Sequence, residues 1–242
     1  MSEDLGFIYE NCEKIRARVI TAAQKSGRNP DDIKIVAVSK TVDASRITKA
    51  LEWGITDLGE NRVQELCDKF DIIDMKCKWH LIGHLQTNKV KYIIDKAAMI
   101  HSLDRMDLAN EIQRRAEKAG KVVEALVQVN VSGEDSKFGI CPENTLGFIK
   151  ELSKMGNIKV KGLMTIAPLA EKPEDIRWVF AGLRKILIDI RKENIDNIDM
   201  ECLSMGMSND FEIAIEEGAN IIRIGTAILE NANFHRDKDN LD

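Results

Sequence analysis

The chain has 242 residues, 44% of them hydrophobic and 31% charged, with a formal net charge of -5. That balance belongs to a soluble globular protein able to bury a full core without a staple. It argues against nucleic acid or an anionic membrane as the main partner, and no apolar run approaches the roughly 20 residues of a membrane span.

The start, Met1-Ser2-Glu3-Asp4, is acidic and lacks a signal-peptide pattern. Cys12, Cys67, Cys77, Cys141 and Cys202 are scattered with no CxxC, so free thiols in a reducing cytoplasm are expected. With no low-complexity stretch or Pro/Gly/Ser-rich linker, residues 1–242 read as one domain.

An opening helix is predicted over about 3–24, where Leu5, Ile8, Cys12, Ile15 and Val19 recur at helical spacing. After Gly27-Arg28-Asn29-Pro30, short apolar runs alternate with longer amphipathic segments. Strand 33–39 leads to helix 44–53, strand 56–59 to helix 63–70, and strand 79–82 to helix 89–95. Strand 99–102 leads to helix 107–119, strand 122–130 to helix 143–154, and strand 158–166 to helix 174–192. Strand 198–203 leads to helix 209–217, and strand 221–224 to a short last helix after Gly225. Such alternation implies parallel strands joined by crossover helices. Eight units fit a closed (β/α)8 barrel of TIM type, with an extra N-terminal helix, better than an open doubly wound sheet.

In a barrel of this kind chemistry sits at the C-terminal ends of the strands. Here those ends are polar. Lys40 follows Val36 and Val38 at strand alternation, so it is expected to rise from the interior into the mouth. Desolvation there would disfavour the ammonium form and free the amine as a nucleophile toward an aldehyde. The plainer alternative is a solvated lysine where the strand runs out.

The ends of strands seven and eight, Ser204-Met205-Gly206-Met207-Ser208 and Gly225-Thr226, offer hydroxyls and flexible backbone just before helices. Barrels often bind phosphate at these two loops; otherwise Ser208 or Asn209 merely caps a helix and Gly225 turns the chain. Strand eight neighbours strand one in a closed barrel, which sets this candidate phosphate site beside Lys40. Arg223 shares parity with Ile221 and Gly225 and can point inward, where it needs a partner. That partner could be a pyridine nitrogen or a carboxylate of the protein. His80 and His84 straddle a strand end and a glycine, and HExxH is absent, so no metal site is expected. Residues 133–139 are expected to form a surface loop over the mouth.

Seven ordered motifs now carry a family resemblance: Ala37-Val38-Ser39-Lys40, Gly59-Glu60-Asn61-Arg62-Val63-Gln64-Glu65, the stretch from Trp79 through His80, Gly83, His84 and Asn88 to Lys89, Lys137-Phe138-Gly139, Gly162-Leu163-Met164-Thr165, Leu203-Ser204-Met205-Gly206-Met207-Ser208, and Arg223-Ile224-Gly225-Thr226. From about Ile33 to Leu229 the chain resembles the pyridoxal phosphate homeostasis proteins. These are similar in turn to the barrel domain of bacterial alanine racemase and of eukaryotic-type ornithine decarboxylase.

The resemblance implies a Schiff base between Lys40 and pyridoxal 5′-phosphate (PLP), with Arg223 facing the pyridine nitrogen. It implies that Ser204, Ser208, Gly225 and Thr226 hold the phosphate and that Asn61 lies near the ring. Met205 and Met207 would frame the pocket, and Gly206 joins the cofactor-binding set. It further implies a role in intracellular vitamin B6 balance without dedicated turnover.

Racemising an amino acid needs a base on each face of the planar intermediate. In alanine racemase the second base is a tyrosine from a further domain across a dimer. Here the barrel uses up the chain, and the two tyrosines, Tyr9 and Tyr92, fall on predicted helices. An arginine at the pyridine nitrogen also leaves it unprotonated and a weaker electron sink. The leading expectation is therefore a monomeric carrier that exchanges PLP with apo-enzymes. The alternatives are a PLP-dependent racemase or lyase and, more remotely, a barrel enzyme acting on another phosphorylated metabolite.

Overall fold

The computed structural model describes residues 5–73 and 75–231. Residues 1–4, including the acidic start and the first residues of the predicted opening helix, lie outside the described residues.

Helix α1 (Gly6–Lys25) precedes the barrel. Ile8, Cys12, Ile15, Val19, Ala22 and Ala23 form its buried stripe, as the spacing predicted. Eight parallel strands then close on themselves in sequence order: β1 (Lys34–Val38), β2 (Asp57–Glu60), β3 (Lys78–Leu81), β4 (Ala97–Leu103), β5 (Val123–Gln128), β6 (Ile158–Met164), β7 (Ile198–Ser204) and β8 (Ile221–Ile224). The helices between them are α2 (Ala44–Trp53), α3 (Val63–Ile72), α4 (Val90–Ile93), α5 (Met106–Ala119), α6 (Thr145–Leu152), α7 (Arg177–Lys192) and α8 (Phe211–Glu216), and α9 (Thr226–Leu229) follows β8. The predicted TIM-type barrel with its extra helix is the fold found. The largest departures are in the fourth, sixth and seventh helices, where the first turn is a 3-10 turn, twice opened by a proline that cannot donate.

Closure places β1 against β8, with Val36 opposite Arg223 and Ala37 opposite Ile224. Alternation then sorts the side chains into two layers. Ala37, Leu58, Leu163 and Ile222 point outward into the large core shared with the helices. Val36, Met99, Leu126, Met164 and Ile221, with Cys202, point inward and form a separate plug inside the barrel. Each such fully buried aliphatic side chain contributes about 1.5–3 kcal/mol. Other inward positions carry polar side chains, among them Asp57, His80, His101, Ser204 and Arg223, all five buried.

Helix α1 and the turn after it are tied to the ends of α8 and α9. Asn11 donates to the carbonyls of Ile228 and Glu230, and Arg28 to those of Ile215 and Ala219. Among the described residues no helix is long and apolar enough to cross a membrane.

Candidate functional site

A cavity of about 420 Å³ opens at the C-terminal mouth, on the side where β8 meets β1. Val38, Lys40, Asn61, Met207, Ser208, Arg223, Gly225 and Thr226 line it, with Ile166, Pro168 and Leu169 forming an apolar wall. Ser208, Asn209 and Thr226 also face a second hollow of about 490 Å³ that runs outward toward Asn11 and Arg18 of α1.

Lys40 sits one residue past Ser39, in the turn after β1, and its side chain is exposed. The expectation that burial would free its amine is therefore corrected: the strand ends at Val38, so Lys40 stands above the barrel interior. Its turn is held by charge. Glu60, fully buried at the end of β2, accepts from the Ser39 hydroxyl at 2.7 Å and from Lys69 Nζ at 2.6 Å. Lys69 also donates to the Ser39 carbonyl, and Glu65 accepts from the Thr41 N–H at 2.9 Å. Thr41 needs this support because its φ is +60°, a conformation that side chains with a Cβ adopt at a cost. Glu60, Glu65 and Lys69 do not stand out as site residues in the sequence. Two of them lie in the Gly59 to Glu65 motif, which was the available signal.

Arg223 is buried at the cavity floor. Its Nη1 donates to Ser204 Oγ at 2.7 Å and its Nη2 to the Thr165 carbonyl at 2.9 Å. Both acceptors are neutral, and among the described residues it has no ion-pair partner within 4.0 Å. Burial lowers the guanidinium to about 10, against the more distant pull of Asp210, so it remains charged at neutral pH. Of the two partners anticipated for Arg223, a protein carboxylate is thus not the one found. Asp210 is itself raised by burial, partly offset by the Met207 N–H that it accepts at 2.5 Å.

Three of the expected cofactor residues lie elsewhere. Ser204 is the last residue of β7 and faces inward, fully buried, below the rim on which it was expected. Met205 points outward into the core between strands and helices, so it does not frame the pocket. Gly206 is buried with φ +93°, and its carbonyl accepts from the Arg223 N–H. A Cβ there would stand 2.6 Å from Ala214 Cβ and 2.9 Å from Phe211 Cα. The strand runs one residue further than the apolar run suggested, which pushes the accessible part of the motif along to Met207 and Ser208. Asn61 reaches the cavity on a loop that crosses closely over Gly83, where any Cβ would strike the Asn61 backbone.

Residues 133–139 do not line the cavity. Phe138 instead stacks on His84 at 4.0 Å, and Gln128 and Asn130 donate to carbonyls of this loop. His80 proves to be an interior residue. Its Nε2 lies 2.8 Å from Asp57 Oδ1 and its Nδ1 2.9 Å from His101 Nε2. Among the described residues no three His, Cys, Asp or Glu side chains are arranged so that they could hold a metal ion.

A lysine amine and a counter-ion-free guanidinium facing one half-open cavity, with two small-residue turns at its far end, match a ligand carrying an aldehyde, an acceptor nitrogen and an anionic group. Residues 9–230 match the family model described as alanine racemase, N-terminal domain. The pyridoxal phosphate homeostasis protein of Aquifex aeolicus is 45% identical over 226 residues, which cover 93% of this chain and 98% of that protein. That of Pseudomonas aeruginosa is 39% identical over 92% of this chain and 94% of its own. Among solved structures, PipY of Synechococcus elongatus PCC7942 with PLP bound has a TM-score of 0.80 at 30% identity, over 92% of this chain and 99% of that one. An alanine racemase of Clostridium difficile superimposes with a TM-score of 0.73 at 17% identity, over 94% of this chain but 56% of its own, a likeness of fold.

Proposed function

Because the chain belongs to the alanine racemase N-terminal domain family, and within it to the pyridoxal phosphate homeostasis proteins, we propose that it binds PLP at the β1–β8 mouth and serves intracellular PLP balance. The observation that carries this reading is the placement of Lys40 and Arg223 on one cavity, with Arg223 lacking a carboxylate partner among the described residues. A buried cation with only neutral acceptors is completed by an acceptor from a ligand.

On this reading Lys40 would hold the cofactor through its amine, as a Schiff base. Arg223 donates to the ring nitrogen. Ser208, Gly225 and Thr226 take the phosphate, and Asn61 stands beside the ring. Bound PLP supplies an electrophilic carbon and an electron sink. An arginine opposite the nitrogen donates rather than accepts there, which keeps the sink weak.

The protein acts as a monomeric carrier in the cytoplasm that hands PLP to apo-enzymes and turns over little or nothing itself. Tyr9 and Tyr92 support this: they lie exposed on α1 and α4, neither among the residues lining the cavity. The exposure of Lys40 supports it too, since water and amines can reach the bond that must break on delivery. Reduction of the holoprotein with borohydride, digestion and mass mapping should place the phosphopyridoxyl group on Lys40. A label on another lysine overturns the site. Incubation with L-amino acids in deuterated water should give little Cα exchange; exchange at about 1 s⁻¹ or faster would instead make the protein an enzyme.

A further inference from the structure

Behind Arg223 an unbroken series of hydrogen bonds runs down the barrel axis. Arg223 Nη1 donates to Ser204 Oγ at 2.7 Å, and Ser204 Oγ lies 3.0 Å from His101 Nδ1. His101 Nε2 lies 2.9 Å from His80 Nδ1, and His80 Nε2 lies 2.8 Å from Asp57 Oδ1. Lys34 Nζ lies 3.2 Å from the same Asp57 oxygen, at a hollow in the N-terminal mouth of the barrel. Each of these groups comes from a different strand: β1, β2, β3, β4, β7 and β8. All but Lys34 are buried. The PLP-binding reading uses only Arg223, so the buried groups behind it remain to be accounted for.

Donor and acceptor rules fix the direction of the series. Asp57 can only accept: burial works to raise it, but bonds from His80 and Thr56 and the charge of Lys34 hold its carboxyl well below the usual carboxylate range. His80 therefore donates from Nε2, and its bare Nδ1 accepts from His101 Nε2–H. His101 is then bare at Nδ1 and accepts the Ser204 proton. That leaves the Ser204 lone pairs for Arg223, which can only donate. Every donor points from Arg223 toward Asp57, and the polar atoms of Ser204, His101 and His80 between them are all satisfied. With an added proton on the His pair, His101 would donate to Ser204, and the Ser204 hydrogen would lose its acceptor. Burial, followed by the neighbouring His80, Arg223 and Lys34, keeps His101 well below its ordinary value of 6.5.

We propose that His101 and His80, anchored by Asp57 and acting through Ser204, are positioning residues that hold the Arg223 guanidinium toward the ring nitrogen of the cofactor. Ser204 is thereby moved from phosphate binding to support of Arg223. The inference rests on the PLP-binding reading, yet its first test does not need the cofactor. In the cofactor-free protein, nitrogen NMR of labelled histidines should show His101 bare at Nδ1 and protonated at Nε2. It should show no titration of His101 between about pH 8 and pH 5. A proton on Nδ1 at neutral pH, or titration in that range, overturns the proposal.

The second test is a mutant cycle on PLP affinity, read by equilibrium dialysis, with the visible spectrum of the bound cofactor recorded alongside. His101→Ala should weaken binding about tenfold and move the absorption band. His101→Asn, which keeps an amide near the Nδ1 position, should restore part of the loss. In an Arg223→Gln background His101→Ala should cost nothing further, because its effect passes through Arg223. A purely structural role would give the same loss in both backgrounds and leave the spectrum unmoved. If His101→Ala fails to fold, Asp57→Asn, remote from the cavity, should weaken binding about threefold in the wild-type background and not in Arg223→Gln. Additive losses in the cycle sink the proposal. Failure of Arg223→Gln alone to change affinity, with PLP still on Lys40, removes Arg223 from the site and the relay's purpose with it.

Discussion

Around Lys40 the turn after β1 is held by ions: Glu60 and Lys69 bracket Ser39, and Glu65 takes the Thr41 N–H. Across the cavity the turns after β7 and β8 are held by backbone. Gly206 accepts from the Arg223 N–H, the Met207 carbonyl from the N–H groups of Asp210 and Phe211, and Gly225 from those of Ile228 and Leu229. The residue proposed to form a covalent bond is thus placed by side chains on β2 and α3. The end proposed for the phosphate is placed by chain geometry. A charged bracket can be broken at one atom with the fold left to absorb the loss. A backbone turn tolerates changes of its exposed hydroxyls but not a new Cβ.

This contrast is broken most severely at Lys69. Lys69→Met leaves Glu60 buried without its cation, and loss of one partner of a buried pair costs about 3–5 kcal/mol. Urea unfolding should register that loss, and borohydride labelling of Lys40 should fall with it. An unchanged unfolding midpoint would show that the bracket is idle. At the other end, Gly206→Ala forces a Cβ against Ala214 and Phe211 in a left-handed conformation. A destabilisation of about 2–3 kcal/mol is expected, with PLP affinity reduced because Arg223 shares that backbone.

The rim hydroxyls should behave differently. Ser208→Ala with Thr226→Val is expected to weaken PLP by about 1.5–2 kcal/mol, roughly tenfold to thirtyfold, with little change in melting temperature. Pyridoxal, which lacks the phosphate, should bind the double variant and the parent alike. Equal losses for both ligands would move the phosphate elsewhere. The smallest effect is expected at Thr41→Gly. Relief of the positive φ is worth about 1 kcal/mol, and the greater freedom of glycine in the unfolded chain offsets most of it. A loss above about 2 kcal/mol would mean that the Thr41 side chain, rather than its backbone, secures the turn.

The barrel was legible because each buried strand is a short apolar run between amphipathic segments, and Lys40, Arg223 and Thr226 stand at the ends of such runs. Their meeting followed from closure of β8 onto β1. What a run of apolar residues does not mark is the height at which a strand stops, and so Ser204 and Met205 were set one level too high. Pairings were hidden for another reason. His101 meets His80 across 21 residues and Ser204 across 103, and these distances in sequence collapse only when the barrel shuts. The visible sign was an unusual one: Asp57, His80 and His101 occupy inward positions on otherwise apolar strands. Lys69 gave no sign, since a lysine on an amphipathic helix reads as solvated until its helix is packed beside Glu60.

The pairing of β1 with β8 also has a consequence for the order in which the molecule is made. Lys40 emerges from the ribosome early, and Arg223 and Thr226 come some 180 residues later. Their strands become neighbours only when the sheet closes, the most non-local strand pairing of the barrel and the slowest kind to form. At the proposed site, a cofactor molecule held between them would report a chain whose barrel has closed. By mass action, ligand at a hundred times its dissociation constant adds about 2.7 kcal/mol to that closed state. A falling supply of free PLP would then loosen the seam between the first and last strands before any other part of the barrel. Amide hydrogen exchange along β1 and β8, with and without the cofactor, would record the vitamin status of the solution as the lifetime of that one seam.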